Sequence, residues 1–228
     1  MTMHALMLNA CGRINSERIW ATDLDGTVFE DLMALVVARF IGVKRKAVLD
    51  HLLRSGSLTQ AEFLCTCVNE MCQIATDEEV LQCYLSHARL IPGFADFRLC
   101  LDDWGVSPLG LTNNIGSFAA AVLSYLNVEF PVVGNGLSNG RFSVIHPDIA
   151  FDKGEAIRWL DQHGKTVVGF AGDSSGDHEA AIATRKLGGA VVVVGDGTSQ
   201  LNGLASFRIS SYTELLPYVP NLLTKGPA

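Results

Sequence analysis

The sequence has little charge and few basic residues. Of its 228 residues 18% are charged, and 17 Lys and Arg stand against 24 Asp and Glu, a formal net charge of −7. Proteins that bind the phosphate backbone of nucleic acids carry an excess of Lys and Arg, so this balance argues against a nucleic-acid partner. Intrinsic disorder is also excluded, because 48% of the residues are hydrophobic and disordered chains combine low hydrophobicity with high charge.

Long hydrophobic runs are missing too. The mean hydropathy is +0.25, yet the longest apolar stretches, such as 190–194, have the length of a strand. A membrane-spanning helix needs about 18 or more apolar residues. The segment before Cys11 has no Lys or Arg and too short an apolar run for an export signal. We therefore expect a cytoplasmic protein with no membrane segment.

Paired C-x-x-C spacings are absent as well. The six cysteines are at positions 11, 65, 67, 72, 83 and 100. Zinc sites are usually built from paired knuckles, and Cys65 and Cys67 on one helix would point in different directions. We interpret the cysteines as free thiols that pack in a helical region, which fits a reducing compartment.

What is present is an alternation of strand-like apolar runs with segments of helical spacing. The strand-like runs are 18–22, 106–111, 166–171, 190–194 and 207–209. This alternation predicts an α/β fold, a doubly wound, Rossmann-like parallel sheet with helices on both faces. Two short apolar runs that flank the glycine-rich segment 134–140 predict a β-hairpin. Pro108 removes a ladder donor, so we expect it at the start of its strand or at a bulge.

The segment 30–90 contains no strand-like run. Its pattern is helical, and Thr59 with Glu62 forms a capping box that predicts a helix start. Pro92-Gly93 breaks the pattern afterwards. We therefore predict a small helical cap domain at 30–90, inserted into an α/β core domain made of 1–29 and 91–228.

Polar residues of the types used in catalysis and ligand binding follow three predicted strands. The motifs are Asp-Leu-Asp-Gly-Thr at 23–27, Thr-Asn-Asn at 112–114 and Asp-Ser-Ser-Gly-Asp at 173–177, and Lys153 opens a helix. Ligands of open α/β sheets bind at the carboxyl ends of the strands. Each motif is common by itself, but together they predict one site with four carboxylates and a lysine.

This set of motifs resembles the haloacid dehalogenase (HAD) superfamily, and its spacing resembles the phosphoserine phosphatase branch. About 85 residues separate Asp25 from Thr112, which leaves room for a helical cap. The intervals from Thr112 to Lys153 and from Lys153 to Asp173, about 40 and about 20 residues, are too short for a larger α/β cap. The similarity covers about 19–219.

The resemblance implies a phosphatase that hydrolyses a small-molecule phosphate ester. Asp23 would attack phosphorus and form an aspartyl phosphate. Asp25 would protonate the leaving group and later deprotonate the attacking water. Thr112, Asn113 and Lys153 would bind the phosphate.

The resemblance also implies Mg²⁺ as the cofactor. Asp23, the backbone carbonyl of Asp25 and Asp173 would bind the ion, and Asp177 would orient this shell. The residues support a cation independently. Four aspartates beside Lys153 would repel one another and any phosphate unless a divalent cation were bound.

The predicted cap departs from the phosphoserine phosphatase pattern where that branch binds the amino acid. An alignment anchored on 56–58 places Cys67 where an Arg is expected and Leu32 at an acidic position, next to Glu30 and Asp31. A thiol cannot make the bidentate contact that Arg makes with a carboxylate. This argues against phosphoserine as the substrate.

Other cap residues stay open to two interpretations. Arg54, Gln60 and Glu62 are either substrate contacts or a solvated helix face, and Lys44-Arg45-Lys46 is interpreted as a solvated turn. The alternatives to a phosphatase are a phosphotransferase with an alcohol acceptor and a non-enzymatic, receiver-like binding module.

Overall fold

A seven-stranded sheet forms the centre of the molecule in the computed structural model, which describes residues 2–138, 141–143 and 151–224. The strands are β1 Arg18–Thr22, β2 Val106–Ile115, β3 Val132–Ser138, β4 Arg141–Ser143, β5 Thr166–Gly172, β6 Ala190–Val194 and β7 Phe207–Ile209. Their order is β4-β3-β2-β1-β5-β6-β7. All neighbours are parallel except the β3–β4 pair. The predicted doubly wound α/β fold is confirmed.

Helices precede, interrupt and alternate with the strands. They are α1 Met3–Cys11, α2 Leu32–Ile41, α3 Val43–Arg54, α4 Gln60–Ile74, α5 Asp77–His87, α6 Phe94–Asp103, α7 Gly116–Tyr125, α8 Lys153–Gln162, α9 His178–Lys186, α10 Ser199–Asn202 and α11 Val219–Thr224. Within the described residues, no helix combines the length and the apolar character that crossing a membrane requires.

The sheet separates two apolar cores. Side chains of β1 alternate between them: Trp20 belongs to one cluster, while Ile19 and Ala21 belong to the other. This alternation is the period-two pattern of a strand, and burial on both faces is typical of parallel sheets. The apolar excess of the sequence therefore fills two layers rather than one.

Helices α2–α5 lie between β1 and β2 in the chain, although β1 and β2 are neighbours in the sheet. The chain leaves and re-enters the sheet region side by side: the Glu30 amide donates to the Arg89 carbonyl at 3.0 Å, and the Ile91 amide donates to the Val28 carbonyl at 2.9 Å. We propose that residues 30–90 form a cap domain and that 1–29 and 91–228 form the core domain.

Local sequence signals account for much of this region. The predicted capping box at Thr59 and Glu62 is present, and a second one joins Thr76 to Glu79 at the start of α5. The interpretation of residues 44–46 as a solvated turn is wrong, because α3 already begins at Val43.

Strand β2 is longer than its apolar run. It extends through 112–114 to Ile115, with a shift of register against β3 in this segment. Pro108 is its third residue and lies opposite Trp20 of β1. The Gly110 amide donates to Pro131, and amides two residues apart point to the same side. The Pro108 nitrogen therefore faces the side on which β3 has not yet begun.

Two further elements complete the comparison with the sequence. The predicted hairpin exists as β3 and β4, which pair from Gly136 with Ser143 to Ser138 with Arg141; its residues 139 and 140 and the predicted strand residue 144 lie outside the described residues. Helix α1 was not predicted, yet Met7 is fully buried in the second core.

Candidate active site

The ends of β1 and β5 and the start of α8 bring three aspartates to one lysine. Lys153 is only 3% exposed, and its ammonium group lies 2.5 Å from Asp23 Oδ1 and 2.6 Å from Asp177 Oδ1. Asp173 follows β5 directly, and the Thr27 hydroxyl lies 3.3 Å from both Asp23 Oδ2 and Asp173 Oδ1. The predicted juxtaposition of these motifs is therefore present in the structure.

Asp177 is the fully buried organiser of the third motif. Its Oδ2 accepts hydrogen bonds from the Asp173 and Ser174 amides, both at 3.0 Å, while its Oδ1 faces Lys153. This close approach needs Gly172, because a Cβ there would lie 2.6 Å from Asp177 Cγ. Both carboxylate oxygens of Asp177 are thus occupied, which fits an orienting role better than direct ligation of a metal.

A glycine also lets the first and third motifs meet. Gly26 has φ +79, and a Cβ at this position would lie 2.4 Å from Asp173 Oδ2. A side chain here would be strained by the backbone and would displace the Asp173 carboxylate. The Asp-x-Asp-Gly-Thr turn can therefore carry two aspartates and still contact a third.

The electrostatics of this cluster are dominated by burial and by repulsion among carboxylates. Burial and Asp177 raise the pKa of Asp23 to about 6, although Lys153 acts in the opposite direction. Burial, Asp23 and Asp177 raise the pKa of Asp173 to about 9. Burial acts to lower the pKa of Lys153, but Asp177 and Asp23 together raise it. One cation does not balance the cluster.

This chemistry fits a divalent cation. In the described part of the chain, one group of three metal-ligating side chains brings an oxygen each within 4.8 Å of the others, namely Asp23, Asp173 and Asp177. Carboxylate oxygens are the ligands that Mg²⁺ prefers. The raised pKa values of Asp23 and Asp173 indicate that negative charge is costly in this site, and a bound cation would offset that cost.

Asp25 is held by donors from two parts of the chain. Its Oδ1 accepts from the Met33 amide at 3.1 Å, and its Oδ2 accepts from Asn114 Nδ2 at 2.9 Å. Burial is the largest influence on its pKa, and Asp23 and Asp31 act in the same direction. Together they outweigh the two hydrogen bonds and raise the pKa of Asp25 to about 7.

Thr112 and Asn113 lie beside the carboxylates. The Thr112 side chain is buried, and its hydroxyl accepts from the Asn114 amide at 3.0 Å. Asn113 Oδ1 is buried without a hydrogen-bond partner. The Asn135 side chain donates to the Asn113 carbonyl at 2.7 Å, which fixes the backbone of this segment. Asn113 lines the cavity, and the nitrogen of its side-chain amide is the atom that can donate to an anionic ligand there.

A cavity of about 310 Å³ opens above these groups. Its floor is formed by all the predicted site residues except Asp177, namely Asp23, Asp25, Thr112, Asn113, Lys153 and Asp173. Its wall comes from α2, α3 and α4 and is largely apolar, with Met33, Ala34, Val37, Leu53, Phe63 and Leu64. Polar groups on the wall are Asp31 at the start of α2, Lys46, Asp50 and Gln60. The size suits a small organic molecule.

The cap residues divide between cavity and structure. Gln60 lines the cavity, while Glu62 accepts from the Thr59 amide in the capping box and Arg54 is exposed outside the lining. Cys67 is fully buried, and burial raises the pKa of its thiol to about 12. Lys46, interpreted from the sequence as solvated, lines the cavity and pairs with Asp50 at 2.7 Å.

Three residues near the site were missed by sequence reasoning. Thr27 and Asn114 were members of the predicted motifs but received no role. Tyr84 lies on α5, far away in the chain, and its hydroxyl donates to Asn114 Oδ1 at 3.2 Å. Asn114 could have been found from its place beside Asn113, but no local signal marks Tyr84.

Comparisons with solved structures find a similar fold in several phosphatases and hydrolases. A phosphoserine phosphatase captured as a phospho-aspartyl intermediate analogue superposes with a TM-score of 0.64 at 15% identity, covering 90% of this chain and 99% of that one. A phosphoserine phosphatase from T. onnurineus gives 0.63 at 18% identity, over 90% and 94%.

A third neighbour is a HAD family hydrolase from Salmonella enterica serovar Typhi, with a TM-score of 0.70 at 13% identity, over 90% of this chain and 72% of that one. No protein-family model matches the sequence, and no curated protein matches it. The shared architecture is therefore visible in three dimensions, at sequence identities of 13–18%. The chain has the fold of phosphoserine phosphatases and HAD family hydrolases.

Proposed function

We propose that this protein is a phosphatase that hydrolyses a small-molecule phosphomonoester through an aspartyl-phosphate intermediate. The proposal rests on two aspartates that line the cavity floor. Asp23 is buried and pairs with Lys153, and Asp25 follows it two residues later in the sequence. The likeness to a phosphoserine phosphatase with a phospho-aspartyl analogue supports the same chemistry.

In the first step a carboxylate oxygen of Asp23 bonds to phosphorus, and the bond from phosphorus to the ester oxygen breaks. Lys153 keeps the Asp23 carboxylate oriented through its contact at 2.5 Å and reduces its repulsion of the incoming phosphate. Thr112 and the Asn113 amide bind the phosphoryl oxygens. Water then attacks the aspartyl phosphate, which releases inorganic phosphate and restores Asp23.

Asp25 supplies and removes the proton in the two steps. Its carboxyl group protonates the leaving oxygen, and the resulting carboxylate then accepts a proton from the attacking water. A pKa raised to about 7 suits this double role, because both protonation states are then accessible near neutral pH. Burial in the cavity floor thus prepares Asp25 for acid and base chemistry.

Asp23, Asp173 and the backbone carbonyl of Asp25 would hold Mg²⁺, with Asp177 orienting the shell. When bound, the ion would offset the negative charge of the carboxylates and of the transferring phosphoryl group. The grouping of Asp23, Asp173 and Asp177, with one carboxylate oxygen of each within 4.8 Å of the others, supports a cation at this place.

We propose that the leaving group is a small organic alcohol with an apolar face, and that phosphoserine is not the substrate. Val37, Phe63 and Leu64 line the wall above the carboxylates, whereas Cys67, aligned with the expected Arg, is buried away from the cavity. An apolar wall favours a leaving group that can be desolvated against it. Among the residues that the structure describes, the cavity lining includes no Arg that would bind a free carboxylate.

A panel of phosphate esters tests the proposal. Phosphate release is measured with Mg²⁺, with an excess of chelator, and with the Asp23→Asn variant, using Asp103→Asn on the exposed end of α6 as a matched control. We expect hydrolysis that requires Mg²⁺, that Asp23→Asn abolishes and that Asp103→Asn leaves unchanged. Absence of release from every ester, or release unaffected by Asp23→Asn, would contradict the proposal. Adding an alcohol acceptor distinguishes transfer from hydrolysis.

A further inference from the structure

The Asp25 carboxyl group is fixed on both of its oxygens by donors that cannot accept a proton. Oδ1 accepts from the Met33 backbone amide in the first turn of α2, and Oδ2 accepts from the side-chain amide of Asn114 in β2. Because N–H groups only donate here, neither partner competes for the proton that a protonated Asp25 carries. That proton is available to a group in the cavity.

The orientation of the Asn114 amide is determined by its surroundings. Its Oδ1 accepts from the Ile115 amide at 2.7 Å and from the Tyr84 hydroxyl at 3.2 Å. An amide flipped by 180° would place Nδ2 against the Ile115 N–H, which is also a donor. Nδ2 therefore points at Asp25. The Tyr84 hydroxyl on α5, which also lies 3.0 Å from Met33 Sδ, supports this orientation from outside β2 by donating to Oδ1.

Burial gives this arrangement its energetic weight. Asn114 is 4% exposed and Tyr84 is 1% exposed. A buried amide costs free energy unless its groups are paired, and an apolar side chain would fill the same space without that cost. The side-chain hydrogen bonds of Asn114 link Tyr84 on α5 and the Ile115 amide, which donate to its oxygen, to Asp25, which accepts from its nitrogen.

We propose that Asn114 is a positioning residue that holds Asp25 in the orientation in which it protonates the leaving oxygen, and that Tyr84 positions Asn114 from helix α5. The inference rests on the proposed phosphatase function. In the step concerned, the Asp25 O–H bond breaks and its proton bonds to the ester oxygen as the P–O bond breaks. Asn114 and Tyr84 exchange no proton and act only through geometry.

A series of esters with one ring and different leaving groups separates this role from a structural one. Benzyl, phenyl and 4-nitrophenyl phosphate have similar size but decreasing leaving-group basicity. An alkoxide needs a proton to leave, whereas 4-nitrophenolate leaves without one. Loss of the positioned acid therefore penalises benzyl phosphate most, and loss of stability or of substrate binding penalises all three alike.

The experiment measures kcat/KM with Mg²⁺ for the wild type, Asn114→Ala and Tyr84→Phe. We expect Asn114→Ala to lower kcat/KM about 30- to 100-fold for benzyl phosphate and less than about threefold for 4-nitrophenyl phosphate. Tyr84→Phe keeps the ring and its contact with Phe118, so we expect the same trend with about a three- to tenfold loss for benzyl phosphate. Tyr125→Phe, on the exposed Tyr125, is the matched control without effect.

Equal losses for all three esters in both variants would overturn the inference while leaving the phosphatase proposal intact. If Asn114→Ala does not fold, the leaving-group trend of Tyr84→Phe decides the question, and an unchanged trend in that variant overturns it. If the wild-type protein hydrolyses none of these esters or of a wider panel, the phosphatase proposal itself fails and the inference with it.

Discussion

The floor and the wall of the cavity are built in opposite ways. On the floor, Lys153 is 3% exposed and pairs with Asp23, and it also pairs with the fully buried Asp177, which does not line the cavity. On the wall, Gln60 is exposed and Lys46 is half-buried among apolar side chains. The floor is fixed by buried charges that depend on one another. The wall can change residue by residue at little energetic cost.

This difference separates the residues expected to carry out the reaction from those expected to select the ester. Removing one partner of a buried ion pair strongly destabilises a protein, because the other partner is left as an uncompensated charge. An exposed or half-exposed pair contributes little. Substitutions on the floor should therefore change folding and catalysis together, and substitutions on the wall should change the choice of ester alone.

The largest expected effect comes from Lys153→Met. The substitution removes the only cation that contacts Asp23 and Asp177 in the described cluster, and we expect the free energy of unfolding at pH 8 without divalent cation to fall by about 3–5 kcal/mol. Urea unfolding measures the change. Lys186→Met, on an exposed lysine of α9, should change it by less than about 0.5 kcal/mol. Equal stability of the two variants would contradict the comparison.

The second effect is a pH dependence with an unusual sign. The pKa values of Asp23 and Asp173 are raised to about 6 and about 9, so the folded protein without metal binds more protons than the unfolded chain above about pH 4. Stability is fully present below that pH and is lost as pH rises through 6 to 9. We expect a fall of about 5 kcal/mol between pH 5.5 and pH 9, about 4 from Asp173 and about 1 from Asp23.

Thermal unfolding across this range measures the dependence, and Mg²⁺ should raise Tm more at pH 8 than at pH 5.5. Sodium chloride at equal ionic strength controls for screening. Asp173→Asn removes one of the repelling carboxylates, so it should flatten the profile and stabilise the metal-free protein at pH 9. A profile that rises with pH in the wild type would refute the assignment.

A smaller effect is expected for Cys67→Ala in the cap. Cys67 is fully buried in the apolar cluster that α4 shares with the core, so we expect a loss of about 1 kcal/mol and an unchanged KM for every ester. Cys65→Ala, at a half-buried position on the same helix, should cost less. A change in ester preference with Cys67→Ala would place this residue on the cavity wall after all.

Lys46→Met is expected to change stability least and to change the preference among esters most clearly. The Lys46–Asp50 pair is partly exposed, so its removal should cost less than about 0.5 kcal/mol. We expect KM for 4-carboxyphenyl phosphate to rise about three- to fivefold and that for phenyl phosphate to stay constant, because a cation near the leaving group favours an anionic one. Lys44→Met, on an exposed neighbour, is the control.

The floor of the site was predictable from the sequence for a physical reason. Buried parallel strands appear as short apolar runs, and the residues directly after them must meet at one edge of the sheet. Asp23 and Asp173 could be placed in this way without any tertiary contact being known, whereas Lys153, at the start of a helix, was predicted from the combination of motifs. Gly26 and Gly172 stand beside these motifs, where a side chain would collide with Asp173 and Asp177.

The wall and its connections were not predictable in this way. The basic run 44–46 has the composition of a solvated turn, yet one of its members faces the cavity because α3 starts earlier and turns Lys46 inward. The Tyr84–Asn114 contact joins residues 30 positions apart on two elements, and no periodicity encodes it. Helix α1 was missed because its short apolar run was compared only with an export signal and was assigned no secondary structure.

The paired crossing between the cap and the sheet has a consequence for how such molecules diversify. Because Glu30 and Arg89 leave and return side by side, the whole segment between them behaves as a long closed loop whose ends are already joined. Each doubling of such a loop costs only about 0.6 kcal/mol in closure entropy. The insertion can therefore lengthen, shorten or be exchanged while β1 and β2 remain neighbours, so that new substrate preferences can arise without rebuilding the catalytic floor.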